Sequence, residues 1–311
     1  MTRVVFMGTP DFAVPTLQAL LDARDVNVVG VVTQPDRPAG RGNTIQQSPV
    51  KQAAVSAGVP VLQPAKLREP AAFEQLQAWA PDVIVVAAFG QILKQNVLDL
   101  PPYGCINVHA SLLPRWRGAA PIQAAIRAGN AQTGITIVKM DVGLDTGPML
   151  AQRSIPILPT DTGQSLHDKL AALGGPLLIE TLNCYIGGEC KPNAQDDSLQ
   201  TYAPMLKKEE GLIRWTEPAE VIERQVRAFD PWPGTFTNWN RQVLKILTGK
   251  IVEGPTTVPG KVIRMADGTV AIATGNGLYA PQKVQMAGRP AASMTDFVNG
   301  HQSFIGSVLE P

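Results

Sequence analysis

The chain has 311 residues, of which 44% are hydrophobic and only 5% aromatic, and its formal net charge is +1. This length exceeds that of the usual single domain and predicts two domains with cores built mainly from aliphatic side chains. The near-neutral charge argues against a protein that coats nucleic acid or membranes non-specifically, although it allows a local basic patch.

The sequence shows no targeting or metal-binding pattern. The first residues lack the apolar stretch of a signal peptide, and no segment reaches the roughly 18 apolar residues of a membrane span. We therefore expect a cytoplasmic protein that does not contact membranes. The three cysteines, Cys105, Cys184 and Cys190, are scattered, as are the three histidines. This spacing predicts reduced cysteines and no metal site.

Apolar runs alternate with helical patterns in the first half of the chain. Strands are predicted at residues 4–7, 26–33, 59–62, 82–89, 105–109 and 134–140, and helices at 12–23, 49–57, 67–79 and 119–128. Continuous apolar strands separated by helices are typical of a mostly parallel sheet covered on both faces. The sequence thus predicts an α/β fold with a doubly wound, Rossmann-like sheet, whose ligands bind beyond the carboxyl ends of the strands.

A long helix at 160–185 is predicted to close this first domain, with Thr162 or Asp161 as its N-cap and Gly187-Gly188 at its end. An amphipathic helix is predicted at 218–229, followed by short strands at 243–247, 261–265, 269–274 and 277–284. Short strands punctuated by glycines are typical of a small, OB-like β-barrel. The predicted division is a catalytic domain at 1–188, a linker at 189–206 and a C-terminal domain at 207–311.

Polar side chains stand at the end of one predicted strand, in Asn107-Val108-His109. Residues two apart in a strand face the same side, so Asn107 and His109 project together. The carboxyl end of a strand is where an open α/β sheet places its active site. The alternative is that both side chains only satisfy a local turn.

An acidic, glycine-rich loop follows a later strand and contains Asp141 and Asp145. Asp145 could reach His109 and hold its proton, while Asp141 is the competing candidate for a purely structural role. An amide that donates to an oxyanion, an imidazole and a carboxylate together suggest acyl-type transfer. We take Asn107, His109 and Asp145 as the candidate catalytic residues.

Two further segments could line the same crevice. The apolar turn Ser111-Leu112-Leu113-Pro114 follows the Asn-x-His strand directly, and Phe89-Gly90-Gln91-Ile92 follows the strongest predicted strand. The turn could wall a flat ligand, with a plain loop leading into the next helix as the alternative, and the second segment could contribute mainly backbone groups. The dinucleotide fingerprint GxGxxG is absent, so NAD is not predicted.

A long loop at 33–42 carries Arg37 and Arg41 among prolines and glycines. It is too long for a tight connection, and a basic loop close to an active site could hold phosphates. A solvated loop with incidental arginines is the more common explanation for such a pattern.

These motifs together resemble the methionyl-tRNA formyltransferase family. The resemblance covers nearly the whole chain and rests on Gly8-Thr9-Pro10-Asp11-Phe12, the loop 33–42, Asn107-Val108-His109, residues 111–123, residues 141–147, Arg227-Ala228-Phe229 and Pro231-Trp232-Pro233. The Asn-x-His, Ser-Leu-Leu-Pro and Asp-x-Gly-x-Asp-x-Gly motifs mark the broader superfamily that uses 10-formyltetrahydrofolate. The basic loop is more specific to the tRNA enzymes.

The resemblance implies 10-formyltetrahydrofolate as donor and the α-amino group of initiator methionyl-tRNA as acceptor. It implies that Asn107 and His109 polarise the formyl oxygen and that Asp145 keeps His109 charged and passes protons to the folate nitrogen. Folate would bind at 111–114, and Arg41 and Arg37 would contact the tRNA acceptor stem. The second domain would bind tRNA, and we expect a monomer.

Two other functions fit the same residues. A relative that formylates an amino-sugar nucleotide would keep the three candidate catalytic residues but have no use for the Arg41 loop. A non-catalytic RNA-binding protein would use the β-barrel alone. Residues 207–311 hold 12 lysines and arginines against 10 acidic residues, so they carry little of the basic character that this second alternative requires.

Overall fold

The computed structural model describes residues 1–39, 44–255 and 257–310, which form two compact units. The first unit consists of residues 1–121, 132–156 and 167–203, and the second of residues 122–131, 157–166 and 204–311. Most of the segment interpreted as a linker, 189–203, therefore belongs to the first unit.

Residues 1–203 contain eleven strands and six α-helices among the described positions. In chain order these are β1 (Thr2–Gly8), α1 (Val14–Asp22), β2 (Val26–Val32), β3 (Arg37–Ala39), β4 (Thr44–Gln46), α2 (Pro49–Ser56), β5 (Val61–Leu62), α3 (Pro70–Trp79), β6 (Val83–Ala87), α4 (Gln95–Leu98), β7 (Cys105–His109), β8 (Arg117–Gly118), α5 (Pro121–Arg127), β9 (Gln132–Lys139), β10 (Met149–Pro156), α6 (Gly163–Ile186) and β11 (Tyr202–Ala203).

The main sheet of the first unit has the strand order β10-β9-β7-β6-β1-β2-β5. The five strands β5, β2, β1, β6 and β7 pair in parallel, whereas β9 and β10 are antiparallel additions. The predicted Rossmann-like, mostly parallel sheet is confirmed. Because the parallel strands end at one edge, β6 finishes beside Asn107 of β7, and the loops after both strands start there.

The apolar content of the strands explains this arrangement. All five residues of β6 are buried, as are the last five of β1, because a parallel sheet is covered on both faces. On one face of the sheet, Val5, Met7, Ile84 and Val86 pack with side chains of α3 and of the segments after β6 into one core. Strand β10 was not predicted, because its side chains alternate between exposed and half-buried positions at the sheet edge and form no continuous apolar run.

The ends of α6 agree with the sequence. The hydroxyl of Thr162 accepts a hydrogen bond from the backbone N–H of Ser165 at 3.2 Å, as expected of an N-cap. At the other end, Gly188 has a φ of 79° and its N–H donates to the carbonyl of Tyr185. A left-handed glycine at this position terminates the helix.

The prediction of reduced cysteines is wrong for two of the three. Cys184 and Cys190 form a disulfide with a Cα–Cα distance of 5.2 Å. The chain reverses after α6, so the N–H of Cys190 donates to the carbonyl of Cys184, and the two side chains meet although no CxxC pattern marks them. Cys105 is free and buried.

The second unit holds the remaining elements, which are α7 (Ala219–Ala228), β12 (Thr235–Trp239), β13 (Gln242–Val252), β14 (Val262–Arg264), β15 (Val270–Ala273), β16 (Leu278–Met286), β17 (Ala292–Ser293) and α8 (Met294–Gly300). The strands form a curled antiparallel sheet in the order β12-β13-β16-β15-β14, with β17 on β16. Bridges from Val308 to Lys261 and from Glu310 to Asn238 tie the two edges through the C-terminal segment. This confirms the OB-like domain, while α8 was not predicted.

Within residues 1–39, 44–255 and 257–310, no helix combines the length and apolarity needed to cross a membrane.

Candidate active site

Strand β7 carries the first two candidate residues to the carboxyl edge of the sheet. Ile106 and Val108 are buried in the core, and the alternate residues Asn107 and His109 face the other side. His109 is only 5% exposed, whereas Asn107 is half-buried. The strand thus presents an amide and a shielded imidazole side by side.

Asp145 joins this pair from the loop between β9 and β10. Its Oδ1 accepts a hydrogen bond from Nδ2 of Asn107 at 3.3 Å, and its Oδ2 lies 3.6 Å from Nδ1 of His109. The structure therefore brings together the three side chains that the sequence singles out. Their position at the end of a parallel strand is where ligands bind in this class of fold.

The segment after the Ser-Leu-Leu-Pro turn orients the imidazole of His109 and the carboxylate of Asp145. The carbonyl of Trp116 lies 3.0 Å from Nε2 of His109, and because a carbonyl only accepts, Nε2 carries a proton. The backbone N–H of Gly118 donates to Oδ2 of Asp145 at 2.9 Å. These two contacts fix the imidazole so that Nδ1, its other nitrogen, faces the carboxylate.

The acidic loop distinguishes its two aspartates. Asp141 is exposed, and its Oδ1 accepts from the N–H of Gly143 and the hydroxyl of Thr146, so it organises the loop itself. Asp145 turns inward with a φ of 53°, a left-handed conformation that is uncommon outside glycine. Asp141 thus has the structural role, and Asp145 is the aspartate whose carboxylate faces the imidazole.

The turn Ser111-Leu112-Leu113-Pro114 is held by polar groups from β9 and β10. Ser111 is buried and donates to the carbonyl of Arg115, while Leu113 is 3% exposed and its neighbours Leu112 and Pro114 are half-buried. Thr136 and Gln152 hydrogen-bond the backbone of the turn, which contains a cis Leu113–Pro114 bond. Leu112 and Pro114 are therefore the accessible part of the turn.

The segment after β6 reaches the same sheet edge. Phe89 is buried in the core, and its carbonyl accepts from Thr9 and Gln34. The side chain of Gln91 bonds the backbone of Leu67 and Pro64, which leaves Gly90 and the 79%-exposed Ile92 facing solvent.

The basic loop is described only in part. Arg37 is exposed in β3 and lines a cavity of about 470 Å³, with Thr9, Gln34 and Ser48 among its walls. Hydrogen bonds from Lys51, and then from Gln63, lower the pKa of Asp36 and anchor the base of the loop. Arg41 lies outside the described residues.

Sequence reasoning missed Gln195, a residue of the interpreted linker. Its side-chain amide donates to the carbonyls of Asp145 and Gly147 and accepts from Arg117. No local pattern marks a glutamine whose partners lie about 50 residues away or more. The described ranges contain no group of three or more His, Cys, Asp or Glu side chains able to hold a metal ion.

The fold and this site define a class of protein, a group-transfer enzyme with an amide, an imidazole and a carboxylate at the edge of a parallel sheet. Two family matches agree with that class. The Formyl transferase family matches residues 2–182, and the Formyl transferase, C-terminal domain family matches residues 205–302.

Named relatives narrow the class. The methionyl-tRNA formyltransferase of Trichlorobacter lovleyi is 50% identical over 309 residues, which cover 99% of this chain and 97% of the relative. That of Magnetococcus marinus is 53% identical over 96% of this chain and 95% of the relative. The chain therefore belongs to the methionyl-tRNA formyltransferase family.

Solved structures of low sequence identity share the fold. HypX from Aquifex aeolicus in complex with tetrahydrofolic acid has a TM-score of 0.62 at 16% identity and covers 98% of this chain and 48% of its own. WlaRD, a sugar 3N-formyl transferase, has a TM-score of 0.67 at 19% identity, and the match covers 93% of this chain and 99% of WlaRD. A methionyl-tRNA formyltransferase from Clostridium thermocellum has a TM-score of 0.58 at 14% identity, and the match covers 92% of this chain and 99% of that enzyme.

Proposed function

We propose that this protein transfers the formyl group of 10-formyltetrahydrofolate to the α-amino group of initiator methionyl-tRNA, giving N-formylmethionyl-tRNA for translation initiation in the cytoplasm. The observation that carries the proposal is the meeting of Asn107, His109 and Asp145 at the sheet edge, within hydrogen-bonding or ion-pairing reach of one another. It is supported by the names of the relatives that share about half of the sequence.

The acceptor amine attacks the formyl carbon directly. An α-amino group has a pKa near 8, so a usable fraction is uncharged at neutral pH, and no side chain has to act as a covalent nucleophile. As the new C–N bond forms, the carbonyl electron pair moves to the formyl oxygen. The amide of Asn107 uses one proton toward Asp145 and has a second that can donate to this oxyanion.

His109 provides the second donor in this mechanism. Its Nε2 proton is committed to Trp116, and its Nδ1 lies 3.6 Å from the Asp145 carboxylate, beyond the length of a hydrogen bond. The Nδ1–H of the doubly protonated ring lies in the plane of the fixed imidazole, so in this proposal the formyl oxygen binds beside Nδ1 and accepts from that N–H. The imidazolium thus stabilises the tetrahedral intermediate.

Asp145 handles the remaining proton. The amine nitrogen becomes positively charged on attack and releases a proton to the carboxylate, directly or through a water. When the bond from carbon to N10 of folate breaks, N10 receives that proton and the formyl carbonyl is restored. The products are the N-formylated amine and tetrahydrofolate, so atoms and charges balance.

The proposal places folate between the two segments at the sheet edge. Gly90 and Ile92 are exposed after β6, and Leu112 and Pro114 are half-buried after β7, so these residues offer the contact surface. Phe89, Gln91, Ser111 and Leu113 would shape the site through packing and internal hydrogen bonds rather than through free polar groups.

The tRNA contact is proposed for the basic loop and the second unit. Arg37 is exposed beside the 470 Å³ cavity at the ends of the strands, and Arg41 follows four residues later in the sequence. Guanidinium groups there would bind acceptor-stem phosphates. We propose that the enzyme acts as a monomer.

The test is an assay of acceptor choice. The protein is incubated with 10-formyltetrahydrofolate and either charged initiator tRNA or an amino-sugar nucleotide, and the formylated product is identified by mass spectrometry. We expect N-formylmethionyl-tRNA, and a marked loss of this product for Arg41→Ala. Formylation of the sugar alone would point to the alternative transferase, and RNA binding without any turnover would point to a non-catalytic protein.

A further inference from the structure

The side chain of Gln195 connects the catalytic loop to the segment that faces it. Its Nε2 donates two hydrogen bonds, to the carbonyl of Asp145 at 2.8 Å and to that of Gly147 at 2.7 Å. Its Oε1 accepts from Nε and Nη2 of Arg117 at 3.1 and 2.9 Å. Both protons and the acceptor of one half-buried amide are therefore used within the first unit.

Arg117 lies at the centre of the segment that orients the catalytic groups. The carbonyl before it, of Trp116, fixes His109, and the N–H after it, of Gly118, binds the Asp145 carboxylate. The side chain of Arg117 is only 6% exposed. A shift of Arg117 would move both contacts at once, because they belong to its immediate neighbours.

Other residues near Gln195 bind the same arginine. Gln200 accepts from Nη1 at 2.7 Å and Asp197 from Nη2 at 2.6 Å, while β11 pairs in parallel with β8. Gln195 differs from these because it alone among them also holds the catalytic loop, and it does so by its side chain at both carbonyls flanking Thr146.

We propose that Gln195 is a positioning residue for formyl transfer, which sets the distance between the Asp145 carboxylate and the His109 imidazole by tying the catalytic loop to Arg117. The inference rests on the catalytic roles proposed above. The 3.6 Å gap between Nδ1 and Oδ2 depends on the loop that carries Asp145 and on the Arg117 segment that contacts the His109 ring, and Gln195 bonds both.

The chemistry of this position requires a primary amide of this length. Glutamate has nearly the same shape but no N–H, so it would set a negative oxygen against two carbonyl oxygens. Asparagine is one methylene too short to reach both sides. Gln195→Glu therefore removes the two loop bonds while it retains an acceptor for Arg117.

The experiment compares Gln195→Glu and Gln195→Ala with the wild type in steady-state formylation. We expect kcat to fall about 10–100-fold because small displacements of catalytic groups carry penalties of this size. KM for both substrates should stay near the wild-type value, and the pH profile of kcat should shift, since the environment of Asp145 and His109 changes. Gln18→Ala, which removes an exposed glutamine bonded to Asp22, serves as the matched control.

A double-mutant cycle separates positioning from general stabilisation. In an Asp145→Asn background, loss of Gln195 should cost little further activity, because the group it positions is already impaired. An equal loss in both backgrounds, or near-wild-type kcat in both Gln195 variants, would overturn the proposal. If the alanine variant does not fold, the isosteric glutamate variant answers the same question. Absence of formylation by the wild type would instead reject the proposed function.

Discussion

At the scale of single residues, the site depends on one carboxylate with several partners. Asp145 accepts from the Asn107 amide and the Gly118 backbone and faces the His109 ring. We propose that this carboxylate exchanges a proton with the reacting amine, since its side chain keeps 13% exposure. Its charge, rather than its shape, is what the mechanism uses.

Asp145→Asn tests that requirement. The amide keeps the size of the side chain but cannot take up the amine proton, so kcat should fall about 10²–10⁴-fold, the usual contribution of general acid–base catalysis. The pH dependence of kcat should flatten at the same time. Steady-state kinetics across pH, with Asp22→Asn as an exposed control, measure both effects, and a nearly unchanged kcat would remove Asp145 from the catalytic set.

Cys105 gives a pH prediction with a defined sign. Burial, with a smaller contribution from Asp99, raises the pKa of this thiol from 9.0 to about 12. Between these values the unfolded chain releases the thiol proton and the folded chain keeps it, so stability falls as pH rises from 9 to 12. Unfolding free energies should decline more steeply in this window for the wild type than for Cys105→Ala. Parallel slopes would contradict the assignment.

At the scale of elements, the segment 190–200 extends the active site beyond the sheet. It begins at the disulfide, pairs Asn193 with Met149, and supplies Gln195 to the catalytic loop. The structure thus joins the end of α6 to the site through a segment without helix or regular strand pairing along most of its length.

A thiol count tests the disulfide. Unfolded in denaturant without reductant, the protein should expose one reactive thiol per chain, that of Cys105, because Cys184 and Cys190 are bonded. After reduction, three thiols should react, in line with the three cysteines of the sequence. Three reactive thiols before reduction would show that the pair is not bonded in the isolated protein.

The catalytic loop offers a steric test at Gly147. A Cβ at this position would collide with the carbonyl oxygen of Lys139, so Gly147→Ala must displace the loop and Asp145 with it. We expect a large loss of activity with little change in the second unit. Gly300→Ala, where a Cβ meets nothing within 4 Å, should retain activity. Comparable rates for both variants would contradict the close approach.

The sequence predicted the elements whose signal is local. Parallel strands such as β6 are continuous apolar runs, and Asn107 and His109 follow from period-two spacing at a strand end. By contrast, β10 lacks an apolar run, and the partners of Gln195 come from segments that are remote in sequence. Such polar contacts form only once the chain has folded, so the spacing of residues in the sequence cannot predict them.

At the scale of the whole molecule, fold and family carry different information. Structures at 14–19% identity share the fold although their names cover a sugar transferase, a tetrahydrofolate complex and a tRNA enzyme. The relatives at about 50% identity share one name over nearly the full chain. The family therefore indicates the acceptor, and the three side chains indicate the chemistry.

The role of Asn107 as oxyanion donor is tested most directly by the single-turnover rate of formyl transfer in Asn107→Ala, measured with saturating 10-formyltetrahydrofolate and charged initiator tRNA. Loss of an oxyanion donor should lower this rate about 10²–10³-fold, with folate affinity and thermal unfolding unchanged. The exposed amide of Asn27 provides the matched control, Asn27→Ala, which should react at the wild-type rate. A wild-type rate in Asn107→Ala would contradict the account, because the formyl oxygen would then not depend on the amide at the end of β7.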